Sequence, residues 1–299
     1  MKHAVIDVGS NSMRLTVYDV KDGDFRILFK EKIMAGLAGY VENRQMTQKG
    51  IDCAAEGILH FREILKVLSI SDCTVLATAS LRNIRNTKEA REQIDQRTGI
   101  TVQVLTGEEE ATFGYLGAMH DLQLKEGIFV DIGGGSTEIV KFEKEQIEQA
   151  KSYPVGSLML YREYVKKILP GKKSQKKIKD RIMRELLTGA KKPPEKGERI
   201  AGVGGTIRAV LKLAVRQFEL HPETNSFSAE QLEHLCTVLC KKDKTASDLI
   251  IQIAPERIHT LIPGMLILQK IVRLSGAKEI VVSRYSIREG YLCRKIAEQ

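Results

Sequence analysis

The chain has 299 residues, 42% of them hydrophobic, and a formal net charge of +9. At roughly 100–200 residues per domain, that length predicts two domains. No run of about 18 apolar residues marks a membrane span, and Met1–Asp7 lacks the apolar stretch of a secretory signal. Cys53, Cys73, Cys236, Cys240 and Cys293 are scattered through apolar surroundings. They read as reduced core residues of a cytoplasmic protein, not as a disulfide or zinc framework. The positive charge is concentrated: segment 166–199 holds 13 Lys or Arg against 4 Asp or Glu, and the remaining 34 basic (47 − 13) and 34 acidic (38 − 4) residues cancel. Such a block fits a polyanion partner, and it equally fits a solvated helix face.

In chain order, strands are expected at 3–8, 13–20 and 25–33. The second alternates Met13, Leu15, Val17 with Arg14, Thr16, Tyr18, as a half-buried strand does. A helix at 47–69 and a strand at 73–78 follow, then a polar stretch with Arg82 and Arg85. A helix at 87–98, a strand at 101–105 and a helix from Gly107 to about His120 close the first half. The second half opens with a hairpin at 127–142. Helices are expected near 156–168 and 175–189, with a Pro- and Gly-flanked loop over 189–197. A strand at 199–203, helices at 205–217, 228–241 and 254–275, a strand at 279–282 and a helix at 286–297 complete the chain. Mixed strands and helices in each half predict an α/β fold with a sheet in each domain, placed at 1–121 and 122–299. The second domain carries the basic segment 166–199. The cleft between the two is the natural ligand site.

One repeat organises the chain. Val5-Ile6-Asp7-Val8-Gly9-Ser10-Asn11-Ser12-Met13-Arg14-Leu15 recurs as Phe129-Val130-Asp131-Ile132-Gly133-Gly134-Gly135-Ser136-Thr137-Glu138-Ile139, after 131 − 7 = 124 residues. Each copy reads as strand, tight turn, strand. A repeat at domain spacing predicts two similar domains. Glycine lets backbone N–H groups approach an anion, and successive N–H groups in such a turn form an anion-binding nest. Gly9, Ser10, Asn11 and Ser12 are therefore phosphate-loop candidates, as are Gly133, Gly134, Gly135, Ser136 and Thr137. Either loop alone also reads as a plain hairpin turn.

Asp7 and Asp131 end buried strands facing these loops. A carboxylate beside phosphate is repelled unless a cation intervenes, and Mg²⁺ held by carboxylate, water and phosphate oxygens is the usual solution. A third loop, Gly204-Gly205-Thr206, follows a strand and opens a helix, where free N–H groups and the macrodipole favour anions. Its spacing matches neither the Walker loop nor the dinucleotide fingerprint. Gly107-Glu108-Glu109-Glu110-Ala111 begins a helix. Thr106 with Glu109 fits a capping box, and acidic residues complement the dipole there. One of the three glutamates remains a candidate general base, and the residues themselves do not choose which.

These motifs together resemble the exopolyphosphatase/guanosine pentaphosphatase family, of the actin–hexokinase-like superfamily with two ribonuclease H-like domains. The matching stretches are 7–15, 78–82, 107–111, 131–138, 202–206 and Arg288-Glu289-Gly290, in the family's order and over nearly the whole chain. The resemblance implies two mixed sheets flanked by helices around an interdomain cleft. It implies Glu110 as the base that activates water, with Glu109 as the fallback. Arg14 and Arg82 resemble phosphate-contacting arginines, and Asp131 and Glu138 resemble metal- and water-associated carboxylates. Release of terminal orthophosphate from inorganic polyphosphate with Mg²⁺ is the implied activity. Guanosine pentaphosphate hydrolysis and a non-catalytic alarmone or polyphosphate sensor are the alternatives. No membrane or nucleic-acid partner is expected, and a homodimer is left open. The chain departs from the family pattern at Thr260, Arg284 and Ser286. It also stops without the C-terminal helical extension of longer relatives, so a shorter polyphosphate or a nucleotide end group is less excluded than usual.

Overall fold

The computed structural model describes residues 1–187, 198–241 and 244–298. The expected loop at 189–197 and the end of the expected helix at 175–189 lie outside these residues. Strands β1 (Lys2–Val8), β2 (Met13–Lys21) and β3 (Asp24–Ile33) form an antiparallel meander. A 3-10 turn (Leu37–Tyr40) and the two-residue strands β4 (Val41–Glu42) and β5 (Gln45–Met46) lead into α1 (Gln48–Val67). Then come β6 (Cys73–Ala77), the single turn α2 (Ala79–Arg82), α3 (Thr87–Thr98), β7 (Val102–Val104) and α4 (Gly107–Leu122).

The second half opens with β8 (Gly127–Ile132), β9 (Thr137–Glu143) and β10 (Gln146–Tyr153), followed by α5 (Ser157–Tyr164) and α6 (Lys172–Leu187). Next are β11 (Arg199–Val203), α7 (Gly204–Gln217), β12 (Ser226–Ser228), α8 (Ala229–Leu239) and α9 (Lys244–Ile253). A 3-10 turn (Pro255–Arg257), α10 (Leu261–Ser275), β13 (Glu279–Val282) and α11 (Ile287–Ala297) end the chain.

The sequence repeat is a structural repeat. The first sheet runs β3-β2-β1-β6-β7, and the second runs β10-β9-β8-β11-β13 with β12 added at its edge. In both, a meander of three antiparallel strands is extended by strands parallel to its first member. Register is shared as well: Asp7 pairs with Arg14, and Asp131 pairs with Glu138. This is the two-domain, actin–hexokinase-like α/β architecture that the motifs implied.

Both sheets are covered on both faces, which is why their first strands read as near-continuous apolar runs. On β1, Ala4, Ile6 and Val8 pack toward Ile58 and Phe61 of α1. Val5 points the other way and joins Tyr18, Leu76, Ile287 and Leu292. On β8, Ile128 and Val130 face Ile207 of α7 and Leu266 of α10. Phe129, with Phe142 of β9, faces Ala111 and Tyr115 of α4. Helices α4 and α11 therefore fill the space between the sheets. They cross where two glycines remove the side chains: a Cβ on Gly290 would lie 1.7 Å from the Phe113 carbonyl oxygen. The last helix of the chain thus packs against the first sheet.

Three expectations need correction. β10 was not expected, because its sequence (Gln-Ile-Glu-Gln-Ala-Lys-Ser-Tyr) shows no clean alternation on a mostly solvated edge strand. The helix expected at 254–275 starts only at Leu261; Pro255 heads a 3-10 turn, and an unexpected helix, α9, precedes it. The third is β12, three residues too short to show a period. All five cysteines are free thiols. Among the described residues no helix is long and apolar enough to cross a membrane.

Candidate active site

The two repeated turns are built alike. The Gly9 N–H donates to the Ser12 carbonyl at 3.2 Å, and the Gly133 N–H donates to the Ser136 carbonyl at 2.9 Å. A Cβ on Gly9 would sit 3.0 Å from Ser12 O, and one on Gly133 would sit 3.1 Å from Ser136 O. The loop carbonyls are tied down from behind. Ser10 O and Asn11 O accept from the Ala38 and Gly36 amides, both at 2.9 Å. Gly133 O accepts from Ser157 N at 2.9 Å, and Gly134 O accepts from Leu158 N and Met159 N at 3.0 Å. The first amides of α5 thus satisfy the second loop's carbonyls. The N–H groups of Ser10, Asn11, Gly134 and Gly135 have no acceptor among the described residues. Donors without acceptors, in turns whose carbonyls are engaged, make an anion nest.

The turns meet across the cleft. A Cβ on Gly135 would approach Ser10 Oγ to 2.9 Å, and one on Gly134 would approach Ser10 Cβ to 3.4 Å. The half-open cleft has a volume of about 110 Å³. Gly9, Ser10, Asn11, Ser12 and Arg14 line it from the first half; Gly133, Gly134, Gly135, Ser136 and Asp131 line it from the second. The third loop joins them. Gly204 adopts φ +86°, and a Cβ there would meet Asp131 Oδ1 at 2.5 Å. Gly204 and Gly205 open α7 beside the cleft, with its positive helix end turned to any bound anion.

Glu110 is the glutamate of the acidic run that reaches this cleft. Its carboxylate, 13% exposed, forms an ion pair with Arg82. Arg82 also donates to Leu105 O at 3.3 Å and to Ser152 Oγ at 3.2 Å. Its guanidinium lies 3.7 Å from Oε1 of Glu138, which is 1% exposed. Ser152 Oγ donates to that same oxygen at 2.7 Å, while Oε2 of Glu138 has no partner among the described residues. Burial raises the pKa of Glu110 to about 7 against the pull of Arg82. Burial, reinforced by neighbouring Glu110, holds Glu138 well above the carboxylate range. Burial thus favours the protonated form of both carboxyl groups, and Glu138, unlike Glu110, does not line the cleft.

Several expected site residues are placed elsewhere. Glu109 closes the capping box of α4: its Oε2 accepts from Thr106 N at 2.8 Å and from Thr106 Oγ1 at 2.9 Å. It lies outside the cleft, in a separate groove against α11. Thr137 donates its hydroxyl to Val155 O at 2.6 Å and is fully buried. Thr206 is buried under Gly264, with its hydroxyl unpartnered among the described residues. Arg82 sits behind Glu110 and does not line the cleft itself.

Asp7 and Asp131 both line the cleft without a hydrogen-bond or ion-pair partner among the described residues. Burial raises both, Asp131 to about 6. Two half-buried carboxylates without side-chain partners, beside the two glycine turns, fit Mg²⁺, which takes one or two carboxylates and completes its shell with water and phosphate oxygens. Among the described residues no group of three acidic, His or Cys side chains forms a closed metal cage.

Arg257 and Ser157 also line the cleft and were missed from sequence. Arg257 was read into a continuous helix, although Pro255 marked the break that presents it. Ser157 carried no motif.

Two duplicated lobes meeting at paired glycine turns, with the Glu110 carboxylate in the cleft between them, are the setting of a phosphoanhydride hydrolase. The Ppx/GppA phosphatase family model matches residues 16–299, and the chain belongs to that family. Exopolyphosphatase 1 of Mycobacterium tuberculosis is 24% identical over 304 residues, covering 99% of this chain and 88% of that protein. Its counterpart in Mycobacterium leprae is 25% identical over 306 residues, with 99% and 90% covered. Among solved structures, the Aquifex aeolicus Ppx/GppA family member superposes with a TM-score of 0.80 at 24% identity, covering 100% of this chain and 98% of that one. An exopolyphosphatase from Cytophaga hutchinsonii superposes with a TM-score of 0.86 at 20% identity, with the same coverage.

Proposed function

We propose that this protein is a cytoplasmic exopolyphosphatase that removes terminal orthophosphate from inorganic polyphosphate. The observation that carries the reading is Glu110: a titratable carboxylate at the edge of the nest formed by the two glycine turns. The terminal phosphoryl group lies against the free amides of the Ser10–Asn11 and Gly134–Gly135 turns. Water attacks the terminal phosphorus in line with the bridging oxygen, and its proton passes to Glu110. The bridging P–O bond breaks, and the remaining chain leaves with that oxygen. Amides of the two turns and the α7 N-terminus stabilise charge on the equatorial oxygens. Asp7 and Asp131 would hold Mg²⁺, which when bound neutralises phosphate charge. Arg82 keeps Glu110 in place and biases it toward the ionised form.

The test is orthophosphate release from medium-chain polyphosphate and from guanosine pentaphosphate, each with and without Mg²⁺. Faster Mg²⁺-dependent release from polyphosphate supports the proposal. Preference for the nucleotide would reassign the substrate while keeping the machinery. No release from either would leave a binding protein.

A further inference from the structure

The nest seats one end of a substrate, and a polymer must leave the cleft somewhere. Glu110, Asp7 and Asp131 are the acidic residues of its lining. Arg14, Gly205 and Arg257 line both the cleft and a second cavity of about 170 Å³. Lys32 of β3 and Arg208 and Lys212 of α7 complete that cavity, with Glu256 as its acidic residue. Lys212 and Arg216 also line a third groove, of about 490 Å³, between α7 and α9, with Glu219 as its acidic residue and Leu211, Val215 and Ile253 among its apolar ones. The cleft and the second cavity share Arg14, Gly205 and Arg257, and the second cavity and the groove share Lys212.

Arg208, Lys212 and Arg216 are spaced four residues apart on α7. Such residues form one row with steps of about 6 Å. Like charges at this spacing destabilise a helix. Even so, none of the three has a hydrogen-bond or ion-pair partner among the described residues, and neither has Lys32. Burial, then the charge of nearby Arg14, lowers the pKa of both Arg208 and Lys32. These cations repel one another when nothing lies between them. A violated pairing rule with no protein compensation marks a place where a ligand supplies it.

We propose that the trailing phosphates of a linear polyphosphate run from the cleft past Arg14 and Arg257, between Lys32 and Arg208, and then over Lys212 and Arg216 into the α7–α9 groove. The inference rests on the exopolyphosphatase reading and adds the direction of the chain. It makes affinity depend on length: a triphosphate reaches from the cleft to Arg14 and Arg257, whereas a long chain also engages Lys212 and Arg216.

The experiment is the Lys212→Glu/Arg216→Glu double variant, assayed on inorganic tripolyphosphate and on long-chain polyphosphate. Both side chains are exposed, and an unchanged unfolding temperature verifies the fold. The ratio of the long-chain KM to the tripolyphosphate KM is expected to rise about tenfold, the scale of losing two exposed ion pairs and adding repulsion. The long-chain KM should also lose part of its salt dependence. An unchanged ratio overturns the path. If the wild type hydrolyses neither substrate, the exopolyphosphatase reading fails separately. Equilibrium binding of fluorescently labelled long-chain polyphosphate then decides the path: weaker binding by the variant keeps it, and equal affinity, or no binding by the wild type, ends it.

Discussion

The guanidinium of Arg82 is ion-paired with the carboxylate of Glu110, although the two residues lie 28 positions apart and on different helices. Of the two, Glu110 lines the cleft and Arg82 does not, so the carboxylate is the member of the pair that water in the cleft can reach. Replacing Glu110 by Ala should lower kcat by about 10²–10⁴, the usual loss for a general base. KM should stay within a few-fold, because the amides that seat phosphate are untouched. Steady-state kinetics on polyphosphate check this, and wild-type-like turnover would remove Glu110 from the mechanism.

The same pair sets a pH dependence. Glu110 has a pKa of about 7 in the fold, raised by burial from the ordinary 4.5, and a base works only when ionised. Activity should therefore rise with pH through about 7. Arg82 lowers the pKa, so Arg82→Ala should move the acid limb of the kcat/KM profile to higher pH. A limb that stays in place, or moves down, contradicts the assignment. Stability carries the opposite sign. Between about 4.5 and 7 the folded protein holds a proton that the unfolded chain releases, so Glu110 costs stability as pH rises through that window. Glu110→Gln should flatten this slope and be the more stable form at pH 8, as read by chemical denaturation.

The fold was legible because its chemistry is duplicated. Asp7-Val8-Gly9 and Asp131-Ile132-Gly133 announce two strand–turn–strand units, and the apolar runs before them announce sheets covered on both faces. What stayed illegible depended on packing between distant segments. Glu109 and Glu110 are equivalent by composition. The Thr106–Glu109 spacing marks one of them as a helix cap, but that the other turns toward Arg82 is visible only in the fold. The hydroxyls of Thr137 and Thr206 look like phosphate ligands in their loops, but one is spent on Val155 O and the other is buried. Arg257 entered the site through a helix break whose only sequence mark was Pro255.

Two glycines should respond differently to the same added methyl group. At Gly117 a Cβ would lie 2.2 Å from Ser286 O, a backbone atom that cannot yield without separating α4 from α11. Gly117→Ala should destabilise the protein by about 1–3 kcal/mol, the usual range for overpacking. At Gly205 the Cβ would meet Arg257 at 1.6 Å, but the obstructing atoms end a flexible side chain. Gly205→Ala should therefore spare the unfolding temperature and raise KM, because Arg257 must leave the cleft edge. Equal destabilisation by both substitutions would show that Arg257 is as fixed as the helix crossing.

Helix α6 begins against its own dipole. Lys172, Lys173, Lys176 and Lys177 crowd its first turns, no acidic residue stands in the first turn, and all four side chains are exposed. Cations at a helix N-terminus are unfavourable, and four of them project a positive field into solvent. That field should steer a polyanion toward the protein and be screened over about 10 Å at 0.1 M salt. Changing all four lysines to Ala should lower kcat/KM for polyphosphate at low ionic strength, leave kcat unchanged, and converge with the wild type at high salt. The same substitution should raise the stability of α6, because it relieves repulsion at the dipole's positive end. A kcat/KM whose salt dependence matches the wild type's would confine productive electrostatics to the cleft and the α7 row.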